Sequence, residues 1–253
     1  MELDPSKQLD PTQLSAVEHV GSPLLVTAGP GSGKTGVILG RIKFFLKENI
    51  EPSEILCLTF SEKAAKDVRE RLEDDPEIKE NNIDVSEIEI STYHAFCRKI
   101  LLENSASTGL AMKGGIMDRS VFLAWGVQNI DEFGFDENVV MVNNEFEIIE
   151  NMIDGISVFN QQLISPDDLE KYVEDKLAGT LQIADEAEQD YVHQLKNLVR
   201  VYKKYVAFKK EIDVMDYDDL IIQFNNLVST NSKVRESLQN KFKHILIDEF
   251  QDN

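Results

Sequence analysis

Several features that would place this chain in a specialised class of protein are scarce or missing. Two cysteines among 253 residues are too few for the disulfide framework of a small secreted protein. Both Cys57 and Cys97 lie in apolar stretches, so we expect them to be buried, reduced and inert. No apolar run reaches the roughly 18–20 residues that cross a bilayer. The opening MELDPSKQLDPTQ is acidic and polar, unlike a secretory signal. A cytoplasmic protein fits these absences.

Basic residues are also in short supply. The chain has 26 Lys and Arg against 46 Asp and Glu, a net charge of −20. Because phosphate binding favours a basic face, composition taken alone argues against a nucleic-acid partner. The imbalance is greatest in the middle, where residues 103–215 hold 21 acidic and 10 basic side chains, a net of −11. A DNA-binding function would need a local basic strip that the composition does not reveal.

The order of the apolar runs predicts an α/β fold interrupted by helices. Alternating strands and helices at the start of the chain imply a parallel sheet covered on both faces. From about Glu103 to Asp213 strand runs vanish and helical spacing dominates. We therefore predict a single α/β unit made of residues 1–102 and 214–253, which is interrupted by an all-helical insert at residues 103–213. The predicted strands are Pro23–Ala28, Ile55–Phe60, Ile88–Thr92 and Lys243–Asp248, and the predicted helices include 34–48, one capped by Ser61, one after Thr92 and a long one over 189–212.

A glycine-rich stretch follows the first predicted strand. Residues 28–35 read AGPGSGKT, the spacing of a Walker A loop with alanine in the first glycine position. Glycines let backbone N–H groups approach phosphate oxygens, and the helix that begins here adds the positive end of its dipole. Lys34 would reach the β- and γ-phosphates of ATP, and Thr35 would hold Mg²⁺. The alternative is a plain glycine-rich turn. The predicted cradle comprises Gly29, Gly31, Ser32, Gly33, Lys34 and Thr35.

The last predicted strand supplies the acidic partner that such a loop needs. It delivers Asp248 at its carboxyl end, the edge where ligands bind in parallel sheets. Asp248 would take Mg²⁺ through water, and Glu249 would activate the attacking water, since a base must lie within hydrogen-bond reach. A solvated loop is the ordinary interpretation of an isolated Asp-Glu pair.

These signals and the segments between them resemble superfamily-one DNA helicases of the UvrD/Rep/PcrA type. LDPTQLSAV at 9–17 resembles the family's opening segment, which implies that Gln13 reads adenine. AGPGSGKT matches its phosphate loop, alanine included. The other similar segments are LTFSEKAAKDV at 58–68, STYHAFC at 91–97, DYDDL at 216–220 and DEFQD at 248–252. The resemblance implies a RecA-like P-loop domain, with Lys34, Glu249 and Gln251 as catalytic residues.

The same resemblance implies a groove for single-stranded DNA. Phe60 and Tyr93 would stack on bases, and Ser61 and His94 would contact the backbone; stacking on aromatic faces is tolerant of sequence. Judged from the residues alone, aromatics at strand ends are usually core, and His94 would be a surface or satisfied histidine.

Two positions depart from the family pattern. Glu62 stands where many members have Asn, and Gly36 stands where many have an Arg that contacts nucleotide. The insert, 103–213, lies where the family has its helical subdomain 1B, and residues around it would belong to domain 1A.

The resemblance also implies a second lobe beyond Asn253, because ATP drives a helicase by closing one lobe on another. We therefore expect a helicase parent with 3′-to-5′ translocation and a role such as DNA repair, and a chain that alone neither unwinds DNA nor turns over ATP appreciably. We also expect an exposed sheet edge after the final strand, prone to non-physiological self-association. Two alternatives stay open: a P-loop ATPase with no DNA role, and a stand-alone, non-catalytic module that binds ATP or single-stranded DNA.

Overall fold

The computed structural model describes residues 9–108, 115–135 and 144–252. They form two compact units. The first takes in residues up to Cys97 and from Val228 onward, and the second runs from Arg98 to Leu227. The division into domains at 102/103 and 213/214 stays a prediction.

The helices and strands of the described residues follow in chain order. They are α1 Pro11–Val17, α2 Lys34–Lys47, β1 Ile55–Thr59, α3 Glu62–Glu73, α4 Pro76–Glu80, β2 Glu89–Thr92, α5 Tyr93–Glu103, α6 Ser105–Thr108, α7 Arg119–Gln128, α8 Glu145–Gln161, α9 Pro166–Leu177, α10 Glu186–Glu211, α11 Tyr217–Thr230, α12 Ser232–Lys241 and β3 His244–Ile247. Short 3₁₀ turns lie at Pro52–Glu54, Val85–Glu87, Ile130–Phe133 and Phe250–Asp252.

The first unit is built on a parallel sheet of three strands in the order β2-β1-β3. All five residues of the central strand β1 are buried, as expected for a parallel strand covered on both faces. Thr59 pairs with Thr92 of β2, and Leu58 pairs with Ile247 of β3, so the three strands end together. The predicted α/β class is confirmed.

Helices α2 and α3 cover this sheet through the apolar residues that their sequence spacing predicts. Ser61 caps α3, because its Oγ accepts a hydrogen bond from the Ala64 backbone N–H at 3.2 Å, and the residues after it are good helix formers. The core of the first unit includes Ile38, Ile42 and Phe45 of α2, Ala65, Val68 and Leu72 of α3, and Ile55, Cys57 and Ile90 of the sheet.

The predicted strand Pro23–Ala28 is wrong. The segment has no strand structure, and Leu24, Leu25 and Val26 are 45%, 69% and 41% exposed. A strand needs a hydrogen-bonded neighbour, and no described residue pairs with this segment in the sheet. An apolar run indicates that a segment tends to be buried, but it does not indicate which neighbouring strand would pair with it.

Strand β3, which is an edge strand of the sheet, has exposed apolar side chains. Ile245 and Ile247 are 57% and 39% exposed, whereas their partners in β1, Leu56 and Leu58, are buried. Among the described residues, β3 pairs on one side only. The expected open edge is therefore present in this unit.

The second unit is helical in its described part and has its own core. The predicted helix over 189–212 is confirmed as α10, which begins after Asp185; the Asp185 carboxylate accepts a hydrogen bond from the Glu188 N–H at 2.8 Å. The indole of Trp125 stacks on Phe208 with 4.4 Å between ring centroids. The most buried core residues are Phe122, Phe133, Ile149, Ile156, Val192 and Val201.

No helix among the described residues combines the length and the apolar character needed to span a bilayer.

Candidate functional site

Helix α1 is tied at its start to the glycine-rich loop. The Asp10 carboxylate accepts hydrogen bonds from the backbone N–H groups of Thr12 and Gln13, and the Gln13 Oε1 accepts one from the Asp10 N–H at 2.8 Å. This reciprocal cap fixes the Gln13 side chain. Its Nε2 then donates to the Ser32 carbonyl oxygen at 2.8 Å, so Gln13 lies against the loop.

The loop itself has the backbone form that its glycines predict. Gly31 and Gly33 have φ of +73° and +86°, in the left-handed region that favours glycine. The Ser32 hydroxyl donates to the Gly29 carbonyl at 2.7 Å. The Lys34 Nζ lies 3.3 Å from the Ala28 carbonyl oxygen, so the ammonium is folded over the loop. Lys34 opens α2, and Thr35 follows in the first turn.

A triphosphate fits this arrangement. The start of α2 has no side-chain cap, because Gly33 stands at the N-cap position, and uncapped N–H groups at a helix start favour an anion. A Cβ added at Gly29 or Gly31 would meet no atom within 4 Å, so the loop is open on that side. Lys34 adds a positive charge.

The acidic residues lie at the end of β3 in the same unit. The Asp248 N–H donates to the Leu58 carbonyl at 2.9 Å, and the Asp248 carboxylate accepts from the Glu249 N–H at 3.0 Å. Glu249 has φ of +47°. The Gln251 Nε2 donates to Glu249 Oε2 at 2.5 Å, which holds the predicted base in place.

Asp248 is a buried carboxylate at this end of the sheet. It is 8% exposed, and burial raises the pKa of its carboxyl above the ordinary value. The Glu249 charge also raises this pKa, whereas the Glu249 N–H and the Lys34 ammonium oppose the rise. The ammonium of Lys34, on the loop, therefore has a small effect on the Asp248 carboxylate. A carboxylate oxygen is a ligand that suits a divalent cation such as Mg²⁺, and the sharing of that cation with Thr35 stays a prediction.

The register of the sheet brings the proposed DNA-binding residues Phe60 and Tyr93 to the carboxyl end of the strands, where Asp248 also lies. Phe60 and Tyr93 each follow the last residue of a strand, one position beyond the Thr59–Thr92 pair. Neighbouring strands lie about 4.8 Å apart, so the two aromatic residues begin side by side. Asp248 follows β3 at the same end of the sheet, one position beyond the Leu58–Ile247 pair and therefore level with Thr59, the residue before Phe60.

The exposure of these residues separates two interpretations. Phe60 is 60% exposed, so the core interpretation of this residue is wrong. Tyr93 is half-buried, and burial, helped by nearby Cys97, raises the pKa of its hydroxyl. His94 is half-buried and begins α5 together with Tyr93. The Ser61 hydroxyl caps α3, and its contact with DNA stays a prediction.

Two aspartates of the DYDDL segment bind a buried lysine of the second unit, whereas Tyr217 of the same segment is 54% exposed. Lys209, 5% exposed, donates through Nζ to Asp216 and Asp219 at 2.7 and 2.6 Å, and the Tyr205 hydroxyl donates to Asp216. Burial raises the pKa of Asp216, but Lys209 and the hydrogen bonds outweigh it and lower the pKa. Burial, with a contribution from Asp216, keeps the pKa of Asp219 raised despite Lys209. Sequence reasoning missed Lys209 as the partner of this segment.

Comparison with known proteins decides the family. The UvrD/REP helicase N-terminal domain family matches residues 9–253. The chain belongs to this family. The family assignment confirms the resemblance carried by the glycine-rich loop and the DEFQD segment, and it agrees with the α/β fold of the first unit.

Relatives of this UvrD/REP family member are named as DNA helicases. ATP-dependent DNA helicase PcrA of Staphylococcus epidermidis is 31% identical over 97% of the chain. ATP-dependent DNA helicase Rep of Salmonella typhimurium is 31% identical over 97%, and a probable DNA helicase II homolog of Mycoplasma capricolum is 29% identical over 96%. The chain spans 30–32% of the length of these relatives.

Proposed function

We propose that this chain is the N-terminal, ATP-binding lobe of an ATP-dependent DNA helicase that moves along single-stranded DNA in the 3′-to-5′ direction. One observation carries the proposal: Phe60, Tyr93 and Asp248 each follow the last residue of a strand, so all three lie at the carboxyl end of the sheet. Because the nucleotide site and the aromatic surface lie at the same end of the sheet, the nucleotide state can change the affinity for DNA.

The nucleotide half of the site divides its work among named groups. Backbone N–H groups at the start of α2 and the Lys34 ammonium hold phosphate oxygens, and Gln13 contacts adenine. Thr35 and Asp248, the latter through water, would hold Mg²⁺, which when bound would neutralise charge on the phosphates. Glu249 takes the proton of the attacking water. Gln251, bonded to Glu249 at 2.5 Å, keeps that carboxylate oriented.

The DNA half depends on stacking rather than on charge. An exposed aromatic ring at Phe60 and a half-buried one at Tyr93 offer faces to successive bases, and Ser61 and His94 contact the backbone. With a net charge of −20, long-range attraction to DNA is weak, so stacking supplies most of the affinity.

Binding of a fluorescent dT oligonucleotide, measured by anisotropy at low salt, tests the DNA half. Phe60→Ala and Tyr93→Ala should each weaken binding about fivefold to a hundredfold, the worth of one stacked base. The matched control is Phe146→Ala, which removes another exposed phenylalanine, 48% exposed, from the second unit. Equal affinities for all four proteins would favour a P-loop ATPase with no DNA role.

Calorimetric titration with Mg-ATP tests the nucleotide half. We expect binding that Lys34→Ala abolishes. Wild-type protein without affinity for Mg-ATP would contradict the proposal.

Turnover separates the lobe of a helicase from other possibilities. The chain alone neither unwinds DNA nor hydrolyses ATP appreciably, since catalysis needs groups from a second lobe that closes on the first. DNA-stimulated hydrolysis above about one per second, abolished by Lys34→Ala, would refute this. A native protein of 28.7 kDa in its source cells would favour the stand-alone binding module.

The proposal extends to the setting of the protein. As a DNA helicase, the parent protein would act in the cytoplasm at the nucleoid, in a process such as DNA repair. The exposed Ile245 and Ile247 of β3 support self-association of the isolated chain without a physiological role. Sedimentation across a range of concentrations tests this, with Ile245→Lys as the variant that should stay monomeric.

A further inference from the structure

Helix α1 is too short to be stable alone, and one arginine of α2 holds its end. It has seven residues, below the length at which isolated helices persist, and the last carbonyl groups of any helix lack partners within it. The Arg41 Nη1 lies 3.0, 2.9 and 2.6 Å from the carbonyl oxygens of Ala16, Val17 and His19. Arg41 therefore caps α1 from a neighbouring helix.

Close packing seats α1 on α2 at the same place. A Cβ added at Gly40 would lie 2.7 Å from Val17 Cγ2 and 3.1 Å from Leu9 Cδ1, so only glycine allows this approach. The Arg41 guanidinium also lies 4.7 Å from the ring centroid of Phe45. The sequence carries a signal of this role, because position 41 falls on the buried face of α2, four residues from both Val37 and Phe45.

The opposite end of α1 presents Gln13 to the phosphate loop. Its Nε2 donates to the Ser32 carbonyl at 2.8 Å, and a Cβ at Gly33 would come within 2.9 Å of that same nitrogen. In a trans peptide the C=O and the following N–H point in opposite directions. Holding the Ser32 carbonyl on the Gln13 side therefore turns the Gly33 N–H to the other side of the loop.

We propose that Arg41 is a positioning residue for the phosphate loop: by capping α1 it fixes Gln13, and Gln13 fixes the Ser32–Gly33 peptide with its N–H directed at the phosphates. This inference rests on the proposed function and adds a second role for Gln13, independent of adenine. The glycine-rich loop and the two helices are thus connected in a ring of contacts, here called the circuit. It leads from Ser32 through α2 to Arg41, from Arg41 along α1 to Gln13, and from Gln13 back to Ser32.

Inorganic tripolyphosphate with Mg²⁺ is the probe, because it has phosphates and no adenine. Its dissociation constant is measured by calorimetry on the whole chain, at a temperature where melting curves show every variant folded. Arg41→Met and Gln13→Ala should each weaken binding about five- to tenfold, the worth of one lost hydrogen bond or slightly more. The double variant should be no weaker than the worse single one, since both act through the same peptide.

Two further variants make the result specific. Arg69→Met is the matched control: the Arg69 Nη2 donates to the Ile90 carbonyl at 2.7 Å, so it removes an arginine–carbonyl bond of the same unit that lies outside the circuit, and tripolyphosphate affinity should be unchanged. Gly40→Ala leaves Arg41 intact but forces α1 from its seat, and it should weaken tripolyphosphate binding as Arg41→Met does. It also provides the test if Arg41→Met fails to fold.

Each outcome has a definite meaning. Wild-type affinity in folded Arg41→Met or Gly40→Ala would overturn the inference and leave the proposed function intact. The inference is also refuted if the effects of Arg41→Met and Gln13→Ala multiply, or if Gln13→Ala weakens ATP but not tripolyphosphate. Wild-type protein that binds neither ligand would overturn the proposed function itself, and this inference with it.

Discussion

Replacing Lys209 with methionine should cost the second unit much of its stability. Lys209 is the cation between Asp216 and Asp219, at 2.7 and 2.6 Å, and its side chain is 6% exposed. Methionine keeps most of the length and the apolar stem but removes the charge. Two carboxylates are then left close together without their cation.

The structure sets the size of the effect. Removing one partner of a buried ion pair costs about 3–5 kcal/mol. Asp216 and Asp219 keep backbone donors, since the N–H of each donates to the carboxylate of the other, and their side chains remain 14% and 21% exposed. We therefore expect the lower limit, about 3 kcal/mol, which is about a hundredfold in the unfolding equilibrium.

The assay is urea unfolding followed by tryptophan fluorescence. Trp125 is the only tryptophan of the chain, and it stacks on Phe208, the residue before Lys209, so its signal reports this unit. The matched control is Lys204→Met on the same helix. Lys204 pairs with Glu132 at 2.8 Å but is 38% exposed, and a surface pair is worth about 1 kcal/mol at most.

The pH dependence distinguishes lost charge from lost packing. Burial already raises the pKa of Asp219, while Lys209 lowers it, so removing Lys209 raises this pKa further. A carboxyl with a raised folded-state pKa contributes stability that is full below the unfolded pKa and is lost as pH rises through the folded one. Lys209→Met should therefore recover stability between pH 8 and pH 5, about 1.4 kcal/mol for each unit of added shift. An equal loss at both pH values would refute this reasoning.

Three other predictions concern single sites. Gly126→Ala should destabilise the second unit by about 1–3 kcal/mol in urea unfolding, because the added Cβ would lie 2.7 Å from Cγ2 of the stiff, buried Ile149; unchanged stability would contradict it. Burial raises the pKa of both Cys57 and Cys97 to about 12, so Ellman's reagent at pH 8 should label neither thiol rapidly until denaturant is added; one fast equivalent would be the contrary result. Asp248→Asn should raise the melting temperature at pH 7, where the raised pKa of the native carboxyl means lost stability, and the gain should vanish below the unfolded pKa; a lower melting temperature at pH 7 would contradict this sign.

Local patterns predicted the elements whose burial is decided within a short stretch. The strands around Cys57 and Ile90 and the long helix α10 follow from apolar periodicity, and the structure has them within a few residues. The segment around Leu25 failed because strand formation depends on a neighbour elsewhere in the chain. Periodicity gives the preference of a segment, while pairing is a property of the whole sheet.

The site shows the same division. The backbone form of the glycine-rich loop and the place of Asp248 at the end of β3 could be predicted from the sequence, while their roles in nucleotide binding stay predictions. The exposure of Phe60 could not be predicted, since an aromatic residue at a strand end is ordinarily core, and only the family resemblance indicated otherwise. Arg41 acts on carbonyl groups 22 to 25 residues away, a contact that requires the packing of two helices.

Glu249 has a backbone conformation that its own side chain disfavours. With φ of +47° it occupies the left-handed region, where a residue with a Cβ pays about 1–2 kcal/mol relative to glycine. Drift toward stability alone would replace it, and Glu249→Gly would yield a firmer fold without the carboxylate. The proposed role of its carboxylate as the base gives a reason for a glutamate in a conformation that glycine would adopt at lower cost. Thermostability engineering that ranks substitutions by melting temperature would be drawn to this position and would remove the proposed base.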